Sequence, residues 1–111
     1  MNSIALDRNI ATIFPQGSIN ASNAVAFKKQ LIETIATQNA SFLLVDMEQV
    51  NFLDSAGLMA FVAAYRLSKS LGRRLALCSV APSVKIIFDL TQLDNTFEIF
   101  ENRRAFEQTL S

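Results

Sequence analysis

The segment SFLLVDMEQVNFLDSAGLMAFVAAYRL, Ser41 to Leu67, changes its hydrophobic rhythm at Asp54-Ser55-Ala56-Gly57. Before the break, Phe42 to Val45 are apolar on successive residues, as in a short strand covered on both faces. After it, Leu58, Phe61, Val62 and Tyr65 recur at the spacing of one helical face, and Gly72 following Leu71 offers a C-terminal cap. A strand leading into an amphipathic helix is the building unit of an α/β domain. At the break itself, Asp54 or Ser55 can cap the helix by accepting a hydrogen bond from a backbone N–H two or three residues on, worth about 1 kcal/mol. Gly57 is costly there: glycine in a helical turn loses up to about 1 kcal/mol against alanine, so its missing side chain points to close approach by another backbone or by a partner.

The same units continue on either side. Two β-prone runs, Ser3 to Leu6 and Ile10 to Phe14, flank Asp7-Arg8-Asn9 and predict a hairpin. Pro15 and Gly17 then lead out of the sheet toward Asn20 and Ser22, two good caps for a helix running to about Asn39. Ala24, Phe27, Leu31 and Ile35 mark its buried face. RRLALCSV supplies a further buried strand, Pro82 fits the first turn of a third helix ending near Leu93, TFEIF is a last strand, and Asn102 caps a closing helix in which Phe106 and Leu110 share a face. The expected architecture is therefore a single α/β domain over residues 1–111, with a mixed sheet of four to five strands, right-handed crossovers and four helices packed on it. The third helix carries two apolar stripes, Val84-Ile87-Phe88 and Ile86-Leu90-Leu93. One should face the sheet, and the closing helix is expected to cover the other.

Composition narrows the function classes. Half of the 111 residues are apolar, and a chain of this size can bury roughly two thirds of its unfolded surface in one core. Ten basic and ten acidic side chains cancel, so no global field draws the protein onto nucleic acid or an anionic membrane. No apolar stretch approaches the roughly 20 residues needed to cross a bilayer, which predicts no membrane insertion. The single Cys78 cannot form an internal disulfide and no basic, then apolar, leader follows Met1, so a reducing cytoplasm is the expected location. Histidine is absent, which excludes Ser-His and Cys-His catalysis and removes the commonest metal ligand. No catalytic residue, metal site or cofactor is assigned.

Other polar groups read as structural. Cys78 is a small core residue without an activating neighbour. Asp46 and Glu48 form a polar strand end, and Arg66, Lys69, Arg73 and Arg74 form a solvated basic face. Gly17, Gly57 and Gly72 are isolated and build no Walker-type phosphate loop.

LLVDMEQVNFLDSAGLMAFVAAYRLSKSLGRRLALCSV, Leu43 to Val80, resembles the central segment of bacterial anti-sigma factor antagonists of the STAS domain family, in which a strand, Asp-Ser-x-Gly-Leu and a helix recur together. The resemblance extends through GSINASNA and FDLTQLDNTFEIFENRRAF, and so over almost the whole chain. It implies a STAS-like domain that works in a partner-switching pathway. In that family the motif serine, here Ser55, is phosphorylated by a serine kinase that is also an anti-sigma factor, and a serine phosphatase reverses the change. Asp54 matches the acidic neighbour of that serine. The implied partner-binding surface comprises Asn20, Ser22, Asp54, Ser55, Ala56, Gly57 and Leu58. Two positions depart from the common pattern: Asn20 stands where many relatives carry Asp, and Ala56 replaces a frequent Ser or Thr, leaving Ser55 as the motif's one acceptor.

The unphosphorylated protein is thus expected to bind the kinase and free a sigma factor, and phosphate on Ser55 to release it. Two readings within the same fold are a STAS subunit of a lipid or anion transport complex, with Ser55 only a cap, and a regulator of a non-transcriptional signalling enzyme. A third is a small enzyme or carrier using the helix N-terminus as an anion site. A weak homodimer through the third helix also remains open.

Overall fold

The computed structural model describes residues 3–7, 9–37 and 40–110. Arg8 in the expected hairpin turn, and Gln38 and Asn39 at the expected end of the first helix, lie outside the described residues. The elements run β1 (Ser3–Asp7), β2 (Ile10–Phe14), β3 (Gly17–Ile19), α1 (Ala24–Thr37), β4 (Phe42–Asp46), β5 (Val50–Leu53), α2 (Ser55–Ser70), β6 (Arg74–Cys78), α3 (Pro82–Leu90), a 3-10 turn (Leu93–Asn95), β7 (Glu98–Phe100) and α4 (Arg103–Gln108). Five strands form one sheet in the order β1-β2-β4-β6-β7. β1 pairs antiparallel with β2, and the other pairings are parallel, so the sheet is mixed as expected.

The hairpin is held at its turn by Asn9, whose φ of 66° suits the left-handed region that asparagine tolerates. Its Nδ2 donates to Ser41 Oγ at 2.7 Å, tying the turn to the start of β4. Successive apolar residues in β2, β4 and β6 divide between two faces, because strand side chains alternate. Ala11, Ile13, Leu43, Val45, Leu75 and Leu77 join the main core beneath α1, α2 and α3. Ile10, Leu44, Ala76 and Cys78 face the other way and are closed over by Phe106 of α4. Asn102 caps α4, its Oδ1 accepting from Ala105 N at 2.8 Å.

The closing helix therefore does not cover the second stripe of α3. It lies across the sheet from α3, where Phe106 stacks edge-on to Phe42 and Phe100. Val84 and Phe88 are buried as expected, Leu93 packs partly into the main core from the 3-10 turn, and Ile86 and Leu90 face solvent. The helix also stops at Leu90, three residues short of the expected end.

The chain contains two strands that the hydrophobic rhythm did not separate. β3 and β5 form a small parallel sheet of their own, with Ile19 opposite Leu53. This pair carries the chain from the main sheet to the starts of α1 and α2.

The basic group at the end of α2 divides. Arg66 and Lys69 are exposed, as expected of a solvated face. Arg74 instead pairs with Glu98 on β7 and lies over the ring of Phe106 at 5.2 Å, while Arg73 donates to the carbonyl of Ile35 and so fastens β6 to α1. The Gly72 cap is borne out: with φ at 67°, it and Arg73 donate to the carbonyls of Lys69 and Ser68, the paired bonds of a Schellman motif.

Cys78 is fully buried, and that burial, with Asp46 nearby, pushes its thiol up to about 11. The folded thiol thus keeps its proton at a pH where the unfolded one, near 9.0, has lost it. Its contribution to stability is complete below that unfolded value and is lost as pH rises through the folded one. The native protein is expected to stay unlabelled by iodoacetamide at pH 8 while the urea-unfolded chain reacts, as read by mass spectrometry. Rapid native labelling would show that Cys78 is reachable without unfolding.

Candidate functional site

The Asp54 to Leu58 motif sits where β5 ends and α2 begins, directly beside the β3–α1 connection. Asp54 is the cap. Its backbone is extended, with φ −106° and ψ −174°, and its Oδ1 accepts from Gly57 N at 3.0 Å. The second carboxylate oxygen reaches across to the other segment, where Oδ2 accepts from Ala21 N, also at 3.0 Å. Backbone bonds complete the junction: Asp54 N donates to the Ile19 carbonyl at 3.2 Å, and Leu58 N donates to the Asp54 carbonyl at 2.9 Å. One residue therefore starts α2 and fastens it to the loop that starts α1.

Gly57 explains itself in this setting. A Cβ on it would lie 2.6 Å from Leu53 Cδ1, 2.7 Å from the Ile19 carbonyl oxygen and 2.8 Å from Ile19 Cγ2. The close approach expected from the cost of this glycine is made by the backbone of β3. Leu58 is buried beside it and anchors the first turn of α2 in the main core.

Asn20 leads into α1 as a cap does, its Oδ1 accepting from Ser22 N, two residues on, at 2.9 Å and its carbonyl accepting from Ala24 N, the first residue of the helix, at 2.7 Å. Ser22 does not cap: its Oγ donates to Asn20 Oδ1 at 2.6 Å, closing a local turn of the kind asparagine favours. Asn23 braces the turn from the other side, with Oδ1 accepting from Asn20 N and Nδ2 donating to the Ser18 carbonyl. This loop is held in shape by its own amides, and its contact with Asp54 comes through Ala21 N. Ser55 is exposed at the first position of α2, and Ala56 is half-buried.

The seven residues of the expected surface lie on two adjoining segments, but Gly57 and Leu58 are buried against β3 and the main core and, contrary to expectation, present no surface to a partner. Asp54, Gly57 and Leu58 build the junction, Asn20 and Ser22 shape the adjoining loop, and Ser55 is the exposed hydroxyl at its edge. Ala21 and Asn23 were missed by sequence reasoning. A backbone donor carries no side-chain signature, and an asparagine within a run of small polar residues does not announce its partner.

Beside this junction, the start of α1 and the first three to four turns of α2 border a groove whose lining includes Val25, Lys28, Ala56, Met59 and Arg66. Val25 and Met59 are 80% and 57% exposed, large values for apolar side chains. Both lie off the buried stripes of their helices, and apolar residues out of phase with the core were the available sign. Among the described residues no group of His, Cys, Asp and Glu could hold a metal ion, and no helix is long and apolar enough to cross a membrane.

Residues 3–105 match the STAS domain family. The chain belongs to that family. An anti-sigma F factor antagonist from Paenibacillus polymyxa is 23% identical to it over 95 residues, covering 86% of this chain and 81% of the relative. An anti-sigma-B factor antagonist from Listeria monocytogenes is 29% identical over 93 residues, covering 84% and 81%. Among solved structures, a candidate anti-sigma factor antagonist from Thermotoga maritima superposes with a TM-score of 0.90 at 22% identity, covering 99% of this chain and 95% of that one. This STAS domain therefore keeps the family architecture from β1 to the closing helix, and the Asp54–Gly57 junction lies inside the matched region.

Proposed function

We propose that this STAS domain is an anti-sigma factor antagonist: unphosphorylated, it binds an anti-sigma factor that is also a serine kinase, and phosphorylation of Ser55 releases it. A serine phosphatase returns it to the binding form. The protein acts by association and catalyses nothing itself. The observation that carries this reading is the division of labour at the start of α2. Both carboxylate oxygens of Asp54 are engaged by backbone N–H groups, while the neighbouring Ser55 is exposed. A phosphate on Ser55 leaves the cap and the β3–α2 junction intact, and it stands at the positive end of the helix dipole. Both states therefore fold alike.

The consequence falls on binding. Phosphate adds about 1.5 to 2 negative charges beside Asp54, and a partner must desolvate that charge or oppose it. A like-charge contact in an interface costs several kcal/mol, and each ~1.4 kcal/mol is tenfold in affinity, so one phosphate weakens binding by orders of magnitude without a change of shape.

Affinity capture from the native cell with wild type, Ser55→Ala and Ser55→Asp, combined with phosphosite mapping, tests this. Wild type and Ser55→Ala should retain the kinase and Ser55→Asp should lose it, with phosphate found on Ser55 under at least one growth condition. Equal capture by Ser55→Asp would count against the switch. Stable co-purification with a transporter ATPase, indifferent to Ser55, would select the transport-subunit reading instead.

A further inference from the structure

We propose that the groove between α1 and α2 receives an acidic amphipathic helix of the protein partner; this rests on the reading that the Ser55 end of the domain is the partner-binding face. The α2 side of the groove is one helical face, Ala56, Met59, Ala60, Val62, Ala63 and Arg66. Ten residues separate its ends, about 15 Å along the axis, which matches roughly three turns of a docked helix. The floor is alanine: Ala60 and Ala24 are buried, and Ala63 is half-buried. Such small side chains let a second backbone come close, so that the ridges of an incoming helix fit between α1 and α2. Val25 and Met59 stand up from this floor into solvent, an apolar pair with nothing of the described chain over it.

Charge identifies the occupant. Lys28 and Arg66 are exposed at the groove, no acidic residue lines it, and neither cation is in an ion pair with a described residue. The protein as a whole is neutral, so this local positive rim is what a partner meets on approach. A helix with apolar residues at i, i+3, i+4 and i+7 over Val25 and Met59, and carboxylates reaching Lys28 and Arg66, satisfies both features. A second copy seated by two-fold symmetry would set these cations against themselves, and two cations are too few to hold the domain on an anionic bilayer. The groove also begins at Ala56, the neighbour of Ser55. An acidic helix in it would meet a Ser55 phosphate as like charge, which gives the release step a physical cause.

The test is a photo-crosslinking amino acid placed at Val25 of the full chain in its native cell, with the same group at Ile86 on α3 as control. Products from Val25 should map to a protein segment rich in Asp and Glu with apolar residues at helical spacing. Lys28→Glu combined with Arg66→Glu should cut their yield at least about tenfold, since mutated charges of this kind change association and salt dependence. Both side chains are exposed, and an unchanged melting temperature confirms that the double variant folds. Crosslinks to a second copy, to lipid, or to a neutral or basic segment would overturn the proposal, as would charge-insensitive yield or no product specific to Val25. Failure here is separable from failure of the Ser55 switch. Capture still lost in Ser55→Asp without groove crosslinks removes the groove alone, whereas groove crosslinks that survive Ser55→Asp unchanged remove the switch alone.

Discussion

Replacing Phe61 by Ala is expected to cost about 3 to 5 kcal/mol, the range found when a buried aromatic side chain is deleted and the cavity stays partly open. Phe61 is fully buried in α2, and its ring meets three others that come from different parts of the chain. Phe27 of α1 lies 5.2 Å away, Phe88 of α3 6.0 Å, and Phe97 before β7 6.4 Å, all edge-on. Phe88 and Phe97 also pack on each other at 5.7 Å, so these rings support one another and cannot all move inward to fill the gap. Domains of this size are typically stable by about 5 to 15 kcal/mol, which makes the loss a large fraction of the whole. Thermal melting followed by circular dichroism should show a fall of at least about 10 °C. A loss below about 1.5 kcal/mol would mean that the cluster collapses around the cavity and that its packing is looser than these distances indicate.

Gly57→Ala is expected to destabilise by about 1 to 3 kcal/mol, although alanine is the better helix former. Helix propensity alone would favour the substitution by up to about 1 kcal/mol. Against this, the new methyl group would sit 2.7 Å from the Ile19 carbonyl oxygen, which is backbone and bonded to Asp54 N. Relief requires β3 to move away from α2, and that movement strains the bond from Ala21 N to Asp54 as well. The effect should therefore reach the site: native-state hydrogen exchange at Ala21 and Asp54 should accelerate in Gly57→Ala more than at Leu44 in the central strand. A variant as stable as wild type would show that the junction has slack, and the close-packing account of Gly57 would fall.

The expected elements were readable where the signals are local. Asp54, Gly72 and Asn102 each act on backbone groups within a few residues, so residue type and position suffice to place them. The double-faced strands were readable too. Apolar residues on successive positions, as in Leu43 to Val45 and Leu75 to Cys78, fit a strand with cover on both sides, and both covers exist. The Asp54–Gly57 junction was located by its sequence pattern, and its internal wiring was not. Asn20 and Ser22 both have the chemistry of helix caps, yet only Asn20 leads into α1, while the Ser22 hydroxyl is taken up by the Asn20 side chain.

Three features depended on distant parts of the chain meeting. β3 and β5 have three and four residues, too few to show a period, and each is a strand because the other lies alongside it. The side of the sheet taken by α4 followed from the unfilled face over Ile10, Leu44, Ala76 and Cys78, which left Ile86 and Leu90 of α3 outside. The bond from Ala21 to Asp54 joins residues 33 positions apart, and the α1–α2 groove exists only once both helices are docked. Caps, periods and charge balance act over a few residues and are written along the chain, whereas pairings, faces and grooves are properties of what packing brings together.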